Sequence, residues 1–358
     1  MLSEFLSQNL VCPRDGLSLT QNDAVLICPG GHEYPLMDDI PVLLLDDCEQ
    51  TIGIASESLA VASRVARGEI PCDPYFTSTL GINDIEREGI LAEAQKAPSG
   101  IDPVARFMIG ATNGILYRDF IGKIKEYTIP ELRLPPGAGK RLLDIGCNWG
   151  RWCVAAARLG YRPVGIDPSL GAIFAARRVT RQLGLNVDFV VGDARFLPFA
   201  EGSFDVVFSY SVIQHFEETD ARKSLAEIGR VLTPEGESLV QMPNKLGLRC
   251  LFHQIRRRFR KPVGFEVRYW TIPELRHVFS SMIGPSLFST DCFFGIGLQA
   301  SDRHLMPAPR RWLIDVSEFL RRLSKRFPVL TYFADSIYIA SNKGPKVSAP
   351  RTTAERPK

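Results

Sequence analysis

Three aspartates at regular spacing are the residues of this chain best placed to do chemistry. Asp144 is followed 23 residues later by Asp167 and 26 residues after that by Asp193. Each stands at the end of a short apolar run: Leu142-Leu143-Asp144-Ile145, Val164-Gly165-Ile166-Asp167 and Val190-Val191-Gly192-Asp193. Runs of this length and character read as buried parallel strands. The first leads into Gly146-Cys147-Asn148-Trp149-Gly150 and then a helical pattern through Val154, Ala155, Ala156, Ala157 and Leu159. Strand, glycine turn and helix open a doubly wound sheet, where ligands sit beyond the carboxyl ends of the strands. The glycines let the backbone approach a ligand closely. The amides that open the helix carry partial positive charge, which suits a carboxylate or a phosphate. A carboxylate at Asp144 repels a pyrophosphate but accepts from an ammonium group. Asp167 is placed to grip ribose hydroxyls, and Asp193 to accept the exocyclic amine of an adenine. Together the three acids ask for a ligand with an amine, a ribose and an adenine.

These residues resemble the class I S-adenosylmethionine-dependent methyltransferases. The resemblance runs from Arg141 to Met242 and rests on Asp144-x-Gly146-x-Asn148-x-Gly150, on Asp167, and on Gly192-Asp193-Ala194-Arg195-Phe196-Leu197-Pro198-Phe199. It continues through Ser203-Phe204-Asp205-Val206-Val207 and Arg230-Val231-Leu232-Thr233-Pro234-Glu235-Gly236. One position departs: Asn148 replaces the family's middle glycine, and Asn tolerates left-handed backbone better than most residues. The G-x-G-x-x-G of a dinucleotide-binding unit is absent. The resemblance implies an α/β fold, a doubly wound Rossmann-like sheet of seven mostly parallel strands. It implies S-adenosylmethionine as cofactor, held by Asp144, Gly146, Cys147, Asn148, Gly150, Asp167, Pro168, Asp193, Ala194, Ser209 and Tyr210. The motifs most resemble enzymes that methylate small metabolites such as quinones and sterols, which implies a small-molecule or lipid-linked acceptor and O- or C-methylation.

The elements that must position these residues divide the chain. Residues 106–343 form the methyltransferase domain, with later strands at Phe204 to Ser209, Glu237 to Met242, Leu287 to Thr290 and Asp335 to Ala340. A helix beginning at Val104 and running past Ile121 forms one wall, from which Arg118 reaches the methionine carboxylate or stays on the surface beside a core Tyr117. Methyl transfer is an in-line displacement at carbon, so the protein has mainly to align the acceptor and exclude water. A base is needed only for a protonated, weakly acidic acceptor. His215, just past the fourth strand, is the candidate base; alternatively it packs against or caps the helix that begins near Glu217. Tyr210 and Gln214 orient an acceptor, and Tyr269 and Trp270 supply aromatic walls or belong to a structural strand.

Ahead of that domain, residues 1–48 read as a small separate module. Cys12-Pro13-Arg14-Asp15 and Cys28-Pro29-Gly30-Gly31-His32 are two knuckle-like pairs on facing hairpins, the pattern of a zinc ribbon. The region resembles Trm112-like domains, with Asp15 where those families place a second cysteine. Either Cys12, Asp15, Cys28 and His32 hold zinc, or the ribbon keeps its fold without metal, since carboxylates are uncommon in structural zinc sites. Residues 49–105 read as a helical linker, and residues 344–358 as a disordered tail rich in Pro, Thr, Lys and Arg.

Composition narrows the class. With 45% hydrophobic and 23% charged residues the 358-residue chain is an ordinary globular one, and a net charge of +3 does not argue for nucleic acid. The N-terminus lacks a basic, apolar signal sequence, no apolar run approaches transmembrane length, and the eight cysteines have no small-scaffold spacing, so a reducing cytoplasm is expected. Basic residues gather in a helical insertion at 246–327. Leu248, Leu251, Phe252, Ile255 and Phe259 alternate with Arg249, Arg256, Arg257 and Arg258, and a second such helix runs from Ala308 to Phe327. These amphipathic helices suit a peripheral contact with an anionic membrane, less well a nucleic acid, or are ordinary core helices with solvated arginines. An RNA or protein methyltransferase is the competing enzyme reading, but Ser209-Tyr210-Ser211-Val212 stands where amino-methylating enzymes carry Asn/Asp-Pro-Pro-Tyr. A non-catalytic binding scaffold is the third, and the intact acids argue against it.

Overall fold

The computed structural model describes residues 2–69, 73–95, 100–295, 297 and 299–344, so the tail from residue 345 lies outside the described residues. In chain order, α1 (Glu4–Asn9), β1 (Thr20–Asn22), β2 (Val25–Ile27), β3 (Glu33–Met37) and β4 (Ile40–Leu43) come first. Next are α2 (Gly53–Ala66), α3 (Asp84–Ala94) and α4 (Pro103–Thr112). The alternating core is β5 (Arg141–Ile145), α5 (Arg151–Arg158), β6 (Arg162–Asp167), α6 (Leu170–Gln182), β7 (Asp188–Gly192), β8 (Phe204–Tyr210), α7 (Glu218–Val231) and β9 (Leu232–Pro243). It ends with α8 (Leu248–Arg256), α9 (Ile272–Met282), β10 (Ser286–Cys292), α10 (Ala308–Arg326) and β11 (Ser336–Asn342).

The strand order is β1-β2-β3-β4-β7-β6-β5-β8-β9-β11-β10. Its last seven members are the doubly wound arrangement: β7-β6-β5-β8-β9 are parallel, and β11 runs antiparallel to both β9 and β10. From β5 the chain winds outward through β6 to β7, then returns to the other side of β5 with β8. The topological switch therefore lies between β5 and β8, where such sheets bind ligands.

The sheet has eleven strands where seven are expected, because the ribbon is continuous with it. β4 pairs parallel with β7, Val42 opposite Val191 and Leu43 opposite Gly192. The ribbon's apolar residues bury against the main core: the Phe5 ring lies 5.5 Å from Phe204, whose other side packs 5.0 Å from Phe199 of the same domain. Complete burial of one such side chain contributes about 1.5–3 kcal/mol, so residues 1–48 are an extension of the domain rather than a module beside it.

Residues 49–105 are likewise more than a linker. The Ser58 hydroxyl accepts from the Leu170 amide and the Thr79 hydroxyl from the Gly171 amide, satisfying the open N-terminus of α6. The Phe76 ring packs 4.5 Å from Phe174. The helix expected past Ile121 stops at Thr112: Asn113 caps α4 and Gly114 takes φ 143°, after which Ile115–Phe120 form a 3-10 helix. The expected insertion at 246–327 contains the ordinary elements α9 and β10; the additions are α8 with its following loop, and the segment with α10 between β10 and β11.

Candidate functional site

The turn after β5 is built by backbone constraints. Gly146 adopts φ +71°, and a Cβ there would lie 2.2 Å from Val212 Cγ2. Asn148 takes φ 49°, and its Oδ1 accepts from the Trp149 amide at 2.8 Å, which stabilises the left-handed backbone. Gly150 at φ 83° caps α5. The Cys147 thiol is buried, pointing toward Gly165 on β6, where a Cβ would lie 2.8 Å from its sulfur.

Asp144 sits at the mouth of this turn, 1% exposed. Cys153 Sγ donates to its Oδ2 at 3.2 Å, while Oδ1 has no hydrogen-bond partner among the described residues. Burial pushes its pKa up to about 7, with the neighbouring Asp167 pushing the same way. Asp167 accepts from the Asn148 amide and the Ser169 amide, both at 2.9 Å, and burial raises it to about 6. It thereby ties the glycine turn to the start of α6 and keeps further lone pairs for a ribose. Pro168, partly exposed, follows it on the rim.

Arg151 opens α5 and is 8% exposed. Its Nη1 has no hydrogen-bond partner among the described residues, and its guanidinium lies 5.3 Å from the Trp152 ring and 5.7 Å from the Tyr210 ring. An unpaired carboxylate oxygen and an unpaired guanidinium nitrogen border the same turn. Together they match the ammonium and carboxylate of an amino acid, the tail of S-adenosylmethionine. Arg118 takes the second of its two expected places: it lies exposed on the 3-10 helix beside the fully buried Tyr117.

Residues 142–236 match the methyltransferase domain family. A ubiquinone biosynthesis O-methyltransferase of Mesorhizobium japonicum is 31% identical over 209 residues, 58% of this chain and 78% of that protein. The chain belongs to the S-adenosylmethionine-dependent methyltransferases. The enzyme of the same name from Azorhizobium caulinodans is 36% identical over 112 residues, 31% of this chain and 44% of the relative. The chain thus spans less than half the length of several of the curated methyltransferases it matches. The Haemonchus contortus phosphoethanolamine N-methyltransferase 2, solved with S-adenosylmethionine, is 22% identical with a TM-score of 0.40 over 59% of this chain and 50% of that one.

The remaining residues expected from the sequence fall in less open places. Asp193 does not present a free carboxylate: it accepts from Arg195 Nη2 at 2.7 Å, from Nε at 3.1 and 3.2 Å, and from the Arg195 amide at 2.8 Å. An adenine amine would share it with that guanidinium, beside a largely buried Ala194. The Ser209 hydroxyl is fully buried and donates to the Ile145 carbonyl at 3.2 Å, so it joins β8 to β5. Tyr210 donates to Asp291 Oδ2 and accepts from Gln299 Nε2, both at 3.0 Å; burial and Asp291 hold its phenol well above the ordinary value, so it acts as a wall rather than a base. His215 Nδ1 lies 2.7 Å from the Phe265 carbonyl, which can only accept, so the proton is on Nδ1 and Nε2 takes the Gln214 amide at 3.2 Å. Its ring stacks on Phe265 at 3.9 Å, and burial lowers its pKa. His215 is thus a neutral strut between the β8 exit and the loop after α8.

Beyond Arg151 opens a cavity of about 920 Å³. Six arginines line it, namely Arg151, Arg249, Arg256, Arg257, Arg258 and Arg260, against the acids Glu266 and Asp335. Glu266 is engaged by Arg260 at 2.6 Å and Arg257 at 3.7 Å, which holds its carboxyl down at about 2. Asp335 is 1% exposed: its Oδ1 accepts from the Arg249 and Cys250 amides at 2.6 and 2.8 Å, capping α8 from across the fold, while Oδ2 has no partner among the described residues. Burial raises its pKa. Sequence reasoning missed both Arg151 and Asp335. Arg151 had a readable signal, because a cation in the first turn of a helix opposes the helix dipole.

Proposed function

We propose that this chain moves the methyl group of S-adenosylmethionine onto an oxygen or carbon of an anionic small-molecule or lipid-linked acceptor taken from the surface of an anionic membrane. The excess of arginine over acid in the cavity beside the cofactor turn carries the reading. When bound, the cofactor supplies a methyl group already activated by a positive sulfur. Asp144 and Arg151 hold the two ends of its amino acid tail, and Asp167 receives the ribose. Arg256 and Arg258 pair with the acceptor's negative charge, and the Tyr210 and Tyr269 rings flank it. For a hydroxyl acceptor, Asp335 Oδ2 or water would take up the proton that the oxygen gives up on receiving the methyl group. Relatives named as O-methyltransferases favour oxygen.

The membrane part rests on what surrounds the cavity mouth. Leu248, Phe252, Ile255, Phe259 and Phe265 are 54–64% exposed on α8 and the loop after it, interleaved with the arginines. Isolated apolar residues at a surface are ordinary, but a contiguous set bordered by arginine suits insertion among anionic head groups. No helix among the described residues is long and apolar enough to cross a bilayer.

The test incubates the protein with tritium-labelled S-adenosylmethionine and fractionated lipid, small-molecule, RNA and protein extracts. Label in an acidic lipid or acidic metabolite fraction is expected, with loss of transfer but not of cofactor affinity in Arg256→Ala/Arg258→Ala. Label in RNA or protein overturns the acceptor class. Sedimentation with phosphatidylglycerol vesicles, abolished by Phe252→Glu/Ile255→Glu, checks the membrane contact; equal sedimentation of that variant refutes it.

A further inference from the structure

We propose that Cys12, Asp15, Cys28 and His32 hold one zinc ion, and that this ion braces the adenine end of the cofactor crevice. One donor atom from each of the four lies within 4.8 Å of all the others. His32 Nδ1 is 3.4 Å from Cys12 Sγ, 3.3 Å from Cys28 Sγ and 3.1 Å from Asp15 Oδ2, and Cys28 Sγ is 3.3 Å from Asp15 Oδ2. A ring nitrogen has either one proton or one lone pair to offer, so hydrogen bonding accounts for one of its three neighbours. Donors bonded to a tetrahedral zinc at about 2.0–2.3 Å stand roughly 3.3–3.8 Å from one another, which these spacings approach. Both sulfurs belong to buried cysteines free of any disulfide. The loop closes tightly over the cluster, since a Cβ at Gly30 would lie 2.5 Å from Asp15 Oδ2. Two thiolates, an imidazole and a carboxylate form a tetrahedral set of the kind zinc accepts.

The cluster connects to the cofactor site through one line of contacts. Arg14, between two of the ligands, pairs with Asp46 and Asp47 just past β4. Two residues further on, the Glu49 carbonyl accepts from Arg195 Nη2 at 2.8 Å, and that same nitrogen donates to Asp193. Fixing the Cys12–Asp15 loop therefore fixes the strand exit that holds Arg195 against Asp193. This second half of the proposal rests on the cofactor reading above; the metal itself does not.

The experiment uses the full chain produced with zinc in the medium. Elemental mass spectrometry is expected to count one zinc per chain. Cobalt(II) exchanged into the site is expected to give thiolate-to-cobalt charge-transfer bands and the intense visible bands of tetrahedral cobalt. Cys28→Ser and Asp15→Ala lose the metal, whereas Asp15→Cys keeps it. Zinc removal weakens S-adenosylmethionine binding by roughly fivefold or more, the low end of coupling between sites. A zinc count far below one, with no cobalt bands in either the wild type or Asp15→Cys, overturns the metal site. Unchanged cofactor affinity after zinc removal overturns the brace while the metal count stands. Failure of the zinc-loaded protein to bind S-adenosylmethionine at all refutes the cofactor reading, again independently of the count.

Discussion

Cofactor affinity should fall steeply as the medium is acidified, and Asp144 should be the reason. In the free protein its burial holds the pKa at about 7, well above about 3.9 for an unfolded chain. The sign follows: the group favours the free fold most below the unfolded value, and that contribution is withdrawn as pH rises through 7. An ammonium placed on the unpaired Oδ1 reverses the preference, because it needs the ionised form. At pH 7 about half of the carboxylate is ionised and at pH 5.5 about 3%, so affinity should drop roughly 16-fold between them, about 1.6 kcal/mol. The ligand's α-amine, ordinarily titrating near 7.7–8.0, stays mostly protonated over this window. Isothermal titration in buffers of different ionisation enthalpy reads both the drop and its cause. Near pH 6 about 0.9 proton should be released from Asp144 per ligand bound. Asp167, at about 6, adds about fourfold at most over the same range if the ribose needs its charge. Asp144→Asn should accordingly bind weakly, with a residual pH effect no larger than that. An affinity flat from pH 5.5 to 7, or a full 16-fold drop surviving in Asp144→Asn, would refute the assignment.

Two further outcomes follow from the same turn. Gly146→Ala must force a Cβ to within 2.2 Å of Val212 Cγ2 at φ +71°; a loss of about 2–4 kcal/mol in denaturant unfolding is expected, and a change within about 0.5 kcal/mol would contradict the packing. Arg151→Met should weaken cofactor binding roughly 10- to 100-fold, the scale of a charged hydrogen bond, while Arg118→Met should stay within about twofold of the wild type. Equal effects of the two substitutions would dismiss Arg151 as the carboxylate partner.

The centre of the fold was legible because every signal there is local. Short apolar runs ending in an acid, with a glycine turn after the first, specify strand, turn and helix within some fifteen residues. Right-handed crossovers between parallel strands then restrict the arrangements open to β5 through β9. Residues 49–105 were illegible for the opposite reason. Ser58 and Thr79 are polar residues in a stretch of mixed polarity, yet both are fully buried because they cap α6 more than ninety residues downstream. Composition reads such residues as solvent-facing; only the tertiary partner explains them. The ribbon misled similarly. Val42-Leu43-Leu44-Leu45 is sequence for a strand, and nothing in the sequence says that its neighbour is β7.

At the site the same division holds between residues that act through their own backbone and residues that act through a distant partner. The three aspartates were placed by spacing, but spacing does not report whether a carboxylate arrives free. Asp144 retains an unpaired oxygen, whereas Asp193 is taken by a guanidinium two residues away. Its position at the strand exit marks Tyr210 for orienting an acceptor, and Asp291, 81 residues later, accepts the hydrogen bond from its hydroxyl and holds the ring as a fixed wall. Asp335 was read as the start of a strand, and it is the cap of α8, reached across 86 residues. A buried charge carries a desolvation cost of several kcal/mol unless something compensates it. Among the described residues Asp144, Arg151 and Asp335 each keep one atom without a hydrogen-bond partner; Arg151 and Asp335 line the arginine-rich cavity, and Asp144 lies at the start of the cofactor turn that Arg151 closes. A charged ligand and its reaction partner seated beside these atoms would offset such costs.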